Sequence, residues 1–194
     1  MNIIIFDVET NGMEGSSVLS LSALKCKIND YNEVYIIDKF NRFYFRVPGE
    51  KLNRKAIEIN GLKDSMIAQL RENNNYPLYF KKDSESFKSF CGDSNHFVAH
   101  NIDFDKSFFD FELEYQFCTM KSNINILKLK WIEQYQTYKW PTLLETVNFY
   151  EISIESTKLH QSEYDTFLTF KIFSEMIKYE KTKNNIFNFL HNVI

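Results

Sequence analysis

Short apolar runs, separated by polar turns and by stretches of helical periodicity, organise this chain. The run from Asn2 to Glu9 is β-branched and aromatic and stops at Thr10, Asn11 and Gly12, which predicts a buried strand closed by a turn. His96, Phe97, Val98 and Ala99 form a second run. It leads through a turn into an amphipathic stretch with apolar positions at Phe104, Phe108, Phe109, Phe111 and Leu113. Further on, Phe167, Leu168, Phe170, Ile172, Phe173, Met176 and Ile177 recur at helical spacing. The pattern predicts strands over 2–8, 17–28, 33–46, 96–100 and 117–120. Helices are predicted over 53–60, 63–72, 84–91, 104–115, 124–135, 142–149, 162–178 and 183–192. The first three strands make an antiparallel meander and the later two add beside the first, an α/β architecture with a mixed five-stranded sheet flanked by helices. The segment from Glu72 to Tyr76, with Asn73, Asn74 and Asn75 between them, is expected to be the mobile loop.

Acids at the ends of these runs are the candidate chemistry. Asp7 and Glu9 follow directly on Ile3, Ile4, Ile5 and Phe6, although burying an unpaired charge is expensive. Alternation along a strand points Asp7 and Glu9 to one face and Val8 to the other, so the two like charges repel unless a cation lies between them. The same pair also suits the solvated end of a hydrophobic strand, and alone it decides nothing. In the second cluster either Asp103 or Asp105 serves as the useful acid. Local rules favour Asp103 as helix N-cap and leave Asp105 in the first turn, where the helix dipole accepts an acid without any metal. In the third, His160 and Asp165 within one helix would lie about 140° apart around its axis and could not easily share a site. His160 is therefore expected on the loop entering the helix, with Gln161 or Ser162 near the N-cap and Asp165 on the first turns. A lone histidine before a helix is otherwise an ordinary surface residue.

Phe-Asp-Val-Glu-Thr-Asn-Gly at 6–12, His-Asn-Ile-Asp-Phe-Asp at 100–105, and His160 followed at the fifth position by Asp165 together resemble the three motifs of the DEDDh (DnaQ-like) 3′→5′ exonuclease family. Between them, residues 56–62 resemble the family's segment before the second motif, and residues 140–144 resemble the helix start before the third. The likeness runs from about residue 2 to residue 178 and implies a ribonuclease H-like fold. It also implies that Asp105, not Asp103, is the metal-binding acid, and that this is the branch using histidine as base. Departures are Asn11, where proofreading members usually carry Thr, and Ser162 and Thr166, which replace small apolar residues.

What the resemblance implies for mechanism is specific. Asp7, Glu9, Asp105 and Asp165 would hold two Mg²⁺ or Mn²⁺ ions, about 3.5–4 Å apart, which stabilise the attacking and leaving oxygens of an in-line displacement. His160 would take the proton of the attacking water, and nucleoside 5′-monophosphates would leave one at a time from a 3′ end. Thr10, Gly12, Met13 and Asn101 are the implied substrate contacts. Gly12 lets the backbone approach the terminal nucleotide, Met13 stands where relatives wedge a Leu or Phe against the last base, and Asn101 helps orient the second motif. Met13 also reads as an ordinary loop hydrophobe, and Asn101 as a plain turn residue.

Composition bounds these readings. The 194 residues, 44% hydrophobic, suffice for a single domain with a proper core. The net charge of −3 argues against a broad cationic surface for duplex. Locally, Lys121, Lys128, Lys130 and Lys139 stand against Glu133 alone between 119 and 140, either a solvated helix face or a phosphate track. Most of the 19 Phe and 11 Tyr belong to the core, while Tyr76, Tyr79, Phe80 or Trp131 are candidates to stack on bases of single strands. Three widely spaced cysteines and the lack of a targeting or membrane-spanning run lead us to expect a reduced, cytoplasmic protein with no membrane partner. The expected partners are 3′ ends of single-stranded DNA or RNA; a homodimer or a polymerase partner stays open. The alternative function is a non-catalytic end-binding or polymerase-associated subunit on the same fold. The complete set of acids and histidine favours the enzyme, and the short run after the last helix favours a free-standing one.

Overall fold

In the computed structural model, which describes residues 1–72, 75–155 and 159–192, the first apolar run becomes the central strand. β1 (Asn2–Thr10) pairs antiparallel with β2 (Val18–Ile28) and parallel with β4 (His96–Ala99). β3 (Val34–Phe43) lies outside β2 and β5 (Tyr115–Cys118) outside β4, giving the order β3-β2-β1-β4-β5. This is the expected mixed sheet. Helices cover both faces: α1 (Arg54–Asn60), α2 (Asp64–Leu70), α3 (Ser84–Cys91), α4 (Ile102–Lys106), α5 (Thr119–Leu127), α6 (Leu143–Phe149), α7 (Ser162–Met176) and α8 (Lys183–Leu190). Such two-sided cover explains why β1 reads as a continuous apolar run. Ile4, Phe6 and Val8 enter a core with Phe87, Phe97 and Ile102; Ile3 and Ile5 enter another with Leu168, Ile172 and Phe173 of α7.

Three predicted elements are corrected. The helix expected over 104–115 stops at Lys106, where the Ser107 hydroxyl donates to Phe104 O at 2.7 Å. Beyond it Phe109 packs on Phe6, Phe80 and Phe87, with ring centroids 5.4, 5.8 and 5.2 Å away. Aromatic burial, not helical continuity, sets that backbone path. The N-cap is Asn101 in the left-handed region (φ 76), a conformation Asn tolerates, and not Asp103. Asp103 is exposed in the first turn and pairs with Lys106 at 2.7 Å and with Lys121. The helix expected over 124–135 instead starts at Thr119, where Cys118 Sγ accepts from Lys121 N, and ends at Lys128 in the left-handed region. The hairpin β6 (Trp131–Ile132) and β7 (Thr137–Tyr138) follows it. Accordingly β5 sits two residues earlier than the strand predicted over 117–120. In the segment expected to be mobile, residues 73 and 74 lie outside the described residues. Tyr76 beyond them is held, its carbonyl accepting from Arg71 at 2.7 Å and its hydroxyl from Phe43 N at 2.9 Å.

A buried carboxylate ties β3 to the start of α3. Asp83, with a fully buried side chain, accepts two bonds from Arg42 Nη1 at 2.7 and 2.6 Å and one from the Tyr44 hydroxyl at 2.9 Å. Replacing it strands a guanidinium and an enclosed phenol, so Asp83→Ala should lower unfolding free energy by about 3 kcal/mol, read from urea denaturation. An unchanged midpoint would show that the network contributes nothing.

Candidate active site

The acids of β1 face small partners. Asp7 lies opposite Ser22 and Glu9 opposite Ser20 on β2, and the register shifts between Glu9 and Thr10. Small residues there leave room for the first turns of α7. The Ser20 hydroxyl donates to Ser162 Oγ at 2.9 Å and the Thr166 hydroxyl to Ser22 O at 3.2 Å, four residues apart on one helix face. Ser162 and Thr166, the departures from the family pattern, thus dock α7 on the sheet. That docking carries Asp165 to β1.

Each remaining acid is held by a backbone amide of another segment or of its own loop. Asp105, 3% exposed, accepts from Val8 N at 3.1 Å, across 97 residues of sequence. Asp165, 7% exposed, accepts from His160 N at 3.1 Å. His160 precedes α7 with a left-handed backbone (φ 63), exposed to solvent, as its spacing required. One ligand atom each from Glu9, His160 and Asp165 lies within 4.8 Å of the others. Enclosed without a hydrogen-bond partner among the described residues are Asp7 Oδ2 and Asp165 Oδ1. Unpartnered carboxylate oxygens beside an imidazole are a donor set that fits a hard divalent cation.

Electrostatics agree with the geometry. Burial, then repulsion from Asp105, Glu9 and Asp165, raises Asp7 well above the ordinary carboxylate range. Burial and the Asp165 charge lift Glu9 to about 8, against a hydrogen bond from Asn60 that lowers it. Burial raises Asp105 to about 7 and Asp165 to about 6, in the latter opposed by His160. Nearby, burial pushes His100 down to about 4, so the ring is neutral at pH 7. Its Nε2–H donates to Pro141 O at 3.1 Å, which leaves Nδ1 to accept from the Thr119 hydroxyl at 3.0 Å. The imidazole thereby clamps the end of β4 to the start of α5 and to residue 141.

Around the acids the implied substrate contacts fall out unequally. The buried Thr10 donates its hydroxyl to Gly12 O at 2.6 Å and so shapes the turn. A Cβ on Gly12 would come within 3.0 Å of Asn53 Nδ2, so a side chain there would force that neighbour aside. Met13 is 76% exposed at the loop tip, free to meet a ligand. Asn101 turns the chain from β4 into α4. Asn11 is buried and latches the turn to residues 50–53, bonding Glu50 at 2.6 Å, Lys51 O at 2.9 Å and Asn53 N at 3.0 Å. Asn60 was not predicted as a site residue. It ends α1 before Gly61, whose left-handed φ of 71 closes the helix, and it reaches both Thr10 O at 3.1 Å and Glu9. The Asn-Gly pair marks a helix end in the sequence; its contact with Glu9 is tertiary. Of the lysine patch, Lys121 is paired with Asp103 and Lys139 with Glu145 at 2.5 Å. Phe80 is core and Tyr76 packs on Tyr44, leaving Tyr79 and Trp131 as the accessible aromatic candidates.

Residues 4–173 match the exonuclease family RNase_T, and the chain belongs to it: an α/β domain of the DEDDh, ribonuclease H-like class. DNA polymerase III PolC-type of Staphylococcus saprophyticus is 30% identical over 181 residues, and that of Staphylococcus haemolyticus 31% identical over 184. These matches cover 90% and 92% of this chain but 11% of each polymerase, so the chain spans about a tenth of the length of these relatives. Among solved structures, Exonuclease X in complex with 5′ overhanging duplex DNA superposes with a TM-score of 0.63 at 17% identity, covering 91% of both chains. E. coli Exonuclease I in complex with a dA16 oligonucleotide gives 0.67 at 12% identity, covering 98% of this chain and 43% of that one.

The raised acids bind protons more readily folded than unfolded, so their contribution to stability is fully present below the unfolded carboxylate values and is lost as pH rises through the folded ones. For Glu9 that window runs from 4.5 to about 8. Melting of the cation-free protein should therefore fall from pH 5 to pH 8 and recover with an added divalent cation. Asp7→Asn should melt higher than the parent at pH 8 without cation and gain less from it. A flat pH profile and equal cation response in both proteins would contradict the clustering of these charges.

Proposed function

We propose that this protein is a 3′→5′ exonuclease that removes nucleoside 5′-monophosphates from single-stranded or frayed 3′ ends. One observation carries the reading: Asp7, Glu9, Asp105 and Asp165 meet from β1, α4 and α7, with two enclosed oxygens unpartnered among the described residues, beside the exposed ring of His160. Asp7, Glu9, Asp105 and Asp165 would hold two Mg²⁺ or Mn²⁺ ions, which would supply positive charge to stabilise the displacement. His160 sits at the mouth of the cleft and takes the proton of the attacking water on a ring nitrogen. Attack at phosphorus opens the bond to the 3′ oxygen of the preceding nucleotide, which takes up a proton from solvent and becomes the new 3′ hydroxyl end. Asp165 orients His160 through its backbone amide. Thr10 holds the turn, Gly12 admits the terminal nucleotide, Met13 wedges against its base and Asn101 aims α4. The names of the polymerase relatives and of the oligonucleotide-bound neighbours favour DNA over RNA and support work beside a polymerase.

Digestion of 5′-labelled single-stranded DNA, RNA and mismatched duplex with Mg²⁺ or Mn²⁺ tests this. The expected product is a one-nucleotide ladder from the 3′ end, with DNA and mismatched ends cut fastest. His160→Ala should slow cleavage by about 10²–10⁴-fold, the usual loss on removing a general base. Asp7→Ala should be slower still. Variants that digest as fast as the parent would place the activity elsewhere.

A further inference from the structure

A cavity of about 490 Å³ is lined in part by residues 15–18, which follow the turn after β1, and by residues 107–110, which follow α4, so both segments that carry site acids continue into its walls. Ser16 lines the cavity, and its amide donates to Met13 O at 3.0 Å, closing the turn that begins at Gly12. Its hydroxyl would lie 3.6 Å from a Cβ on Gly12. Opposite, Phe108 lines the cavity while its amide donates to the carbonyl of Asp105 at 3.3 Å. A space of this size is in the range of small-ligand sites and far above what a single water needs.

The lining selects a kind of occupant. Tyr79 and Phe108 offer aromatic faces that remain partly accessible. The Ser16 hydroxyl is enclosed and has no partner among the described residues. Asp110 presents a carboxylate, bonded at 3.2 Å by the Ser84 hydroxyl, and Lys81 is exposed with no ion-pair partner among the described residues. A purely apolar ligand would leave these polar groups unanswered, and a free anion would meet Asp110. A nucleotide answers all of them: a ring to stack, exocyclic amines for the carboxylate, and a phosphate for the lysine.

We infer that this cavity receives one unstacked base of the substrate strand, upstream of the bond that is cut, with its ring against Tyr79 and Phe108 and its phosphate toward Lys81. The inference rests on the exonuclease reading of the adjoining acids. It makes the cavity a second grip on the strand, reached only by substrates longer than the terminal nucleotide.

The test uses two substrates: the p-nitrophenyl ester of thymidine 5′-monophosphate, too short to reach the cavity, and oligothymidylates carrying one abasic position moved stepwise from the 3′ end. Both should be hydrolysed. For the oligomers, KM should rise at least about fivefold when one particular position upstream of the terminal nucleotide is abasic, the lower end of what a base–aromatic stack contributes. The value of kcat should change little. Val47→Trp fills the cavity from its 39% exposed side, and Tyr79→Ala removes one ring face; each should abolish the position dependence. If both substrates are cut but KM is the same at every abasic position, or if Val47→Trp keeps the dependence, the cavity is not a base site. If neither substrate is cut, it is the exonuclease reading that fails.

Discussion

Four carboxylates drawn together out of water repel one another, and the rest of the structure is what holds them there. No single segment could do so. β1 contributes two because its other side chains are buried on both faces and leave the strand no freedom to twist its end into solvent. α4 and α7 contribute one each, and every link is a short, directional bond: Val8 N–H to Asp105, His160 N–H to Asp165, Ser20 to Ser162. These bonds form between protein groups alone, so the acids are preorganised before any cation arrives, and the raised pKa values are the stored cost of that arrangement.

The two faces of the sheet divide the labour. On the α7 side, mixed aliphatic and aromatic packing ends in the charged cluster at the C-terminal end of β1. On the other, interlocked rings of Phe6, Phe80, Phe87 and Phe109 stiffen the backbone that leaves α4. That rigidity matters to the site because Asp105 is only four residues from Phe109. The turn after β1 is braced by its own Asn11, which reaches residues 50–53, and from α1 by Asn60, so Met13 projects from a fixed base rather than from a loose loop.

Membership of the exonuclease family rests on the match over residues 4–173, while the solved neighbours, at 17% and 12% identity, speak for the fold alone. The geometry draws together Asp7, Glu9, Asp105 and Asp165, the acids that the sequence motifs single out. The geometry adds what a motif cannot, namely which oxygens lack partners and which neighbouring groups, such as Asn60 and His100, hold the frame around them.

Strand alternation is local, and so the sequence by itself determined that Asp7 and Glu9 share a face, that His160 lies on a loop, and that α1, α2, α3, α6, α7 and α8 fall within two residues of their predicted bounds. The choice between Asp103 and Asp105 depended on the family motif, and its physical reason, an amide 97 residues away, is visible only in three dimensions. Phe104, Phe108 and Phe111 are spaced as a helix would space them, yet burial of Phe109 against Phe80 and Phe87 diverts the chain; periodicity cannot distinguish the two, because a ring needs a core and not a particular backbone. The two-residue strands of the 131–138 hairpin are too short to show any period. Ser162 and Thr166 looked like departures and became the docking face of α7, and the cavity beside the cleft is made by segments far apart in the chain. Local spacing is written in neighbours; the meeting of distant surfaces is decided by which packing excludes the most water.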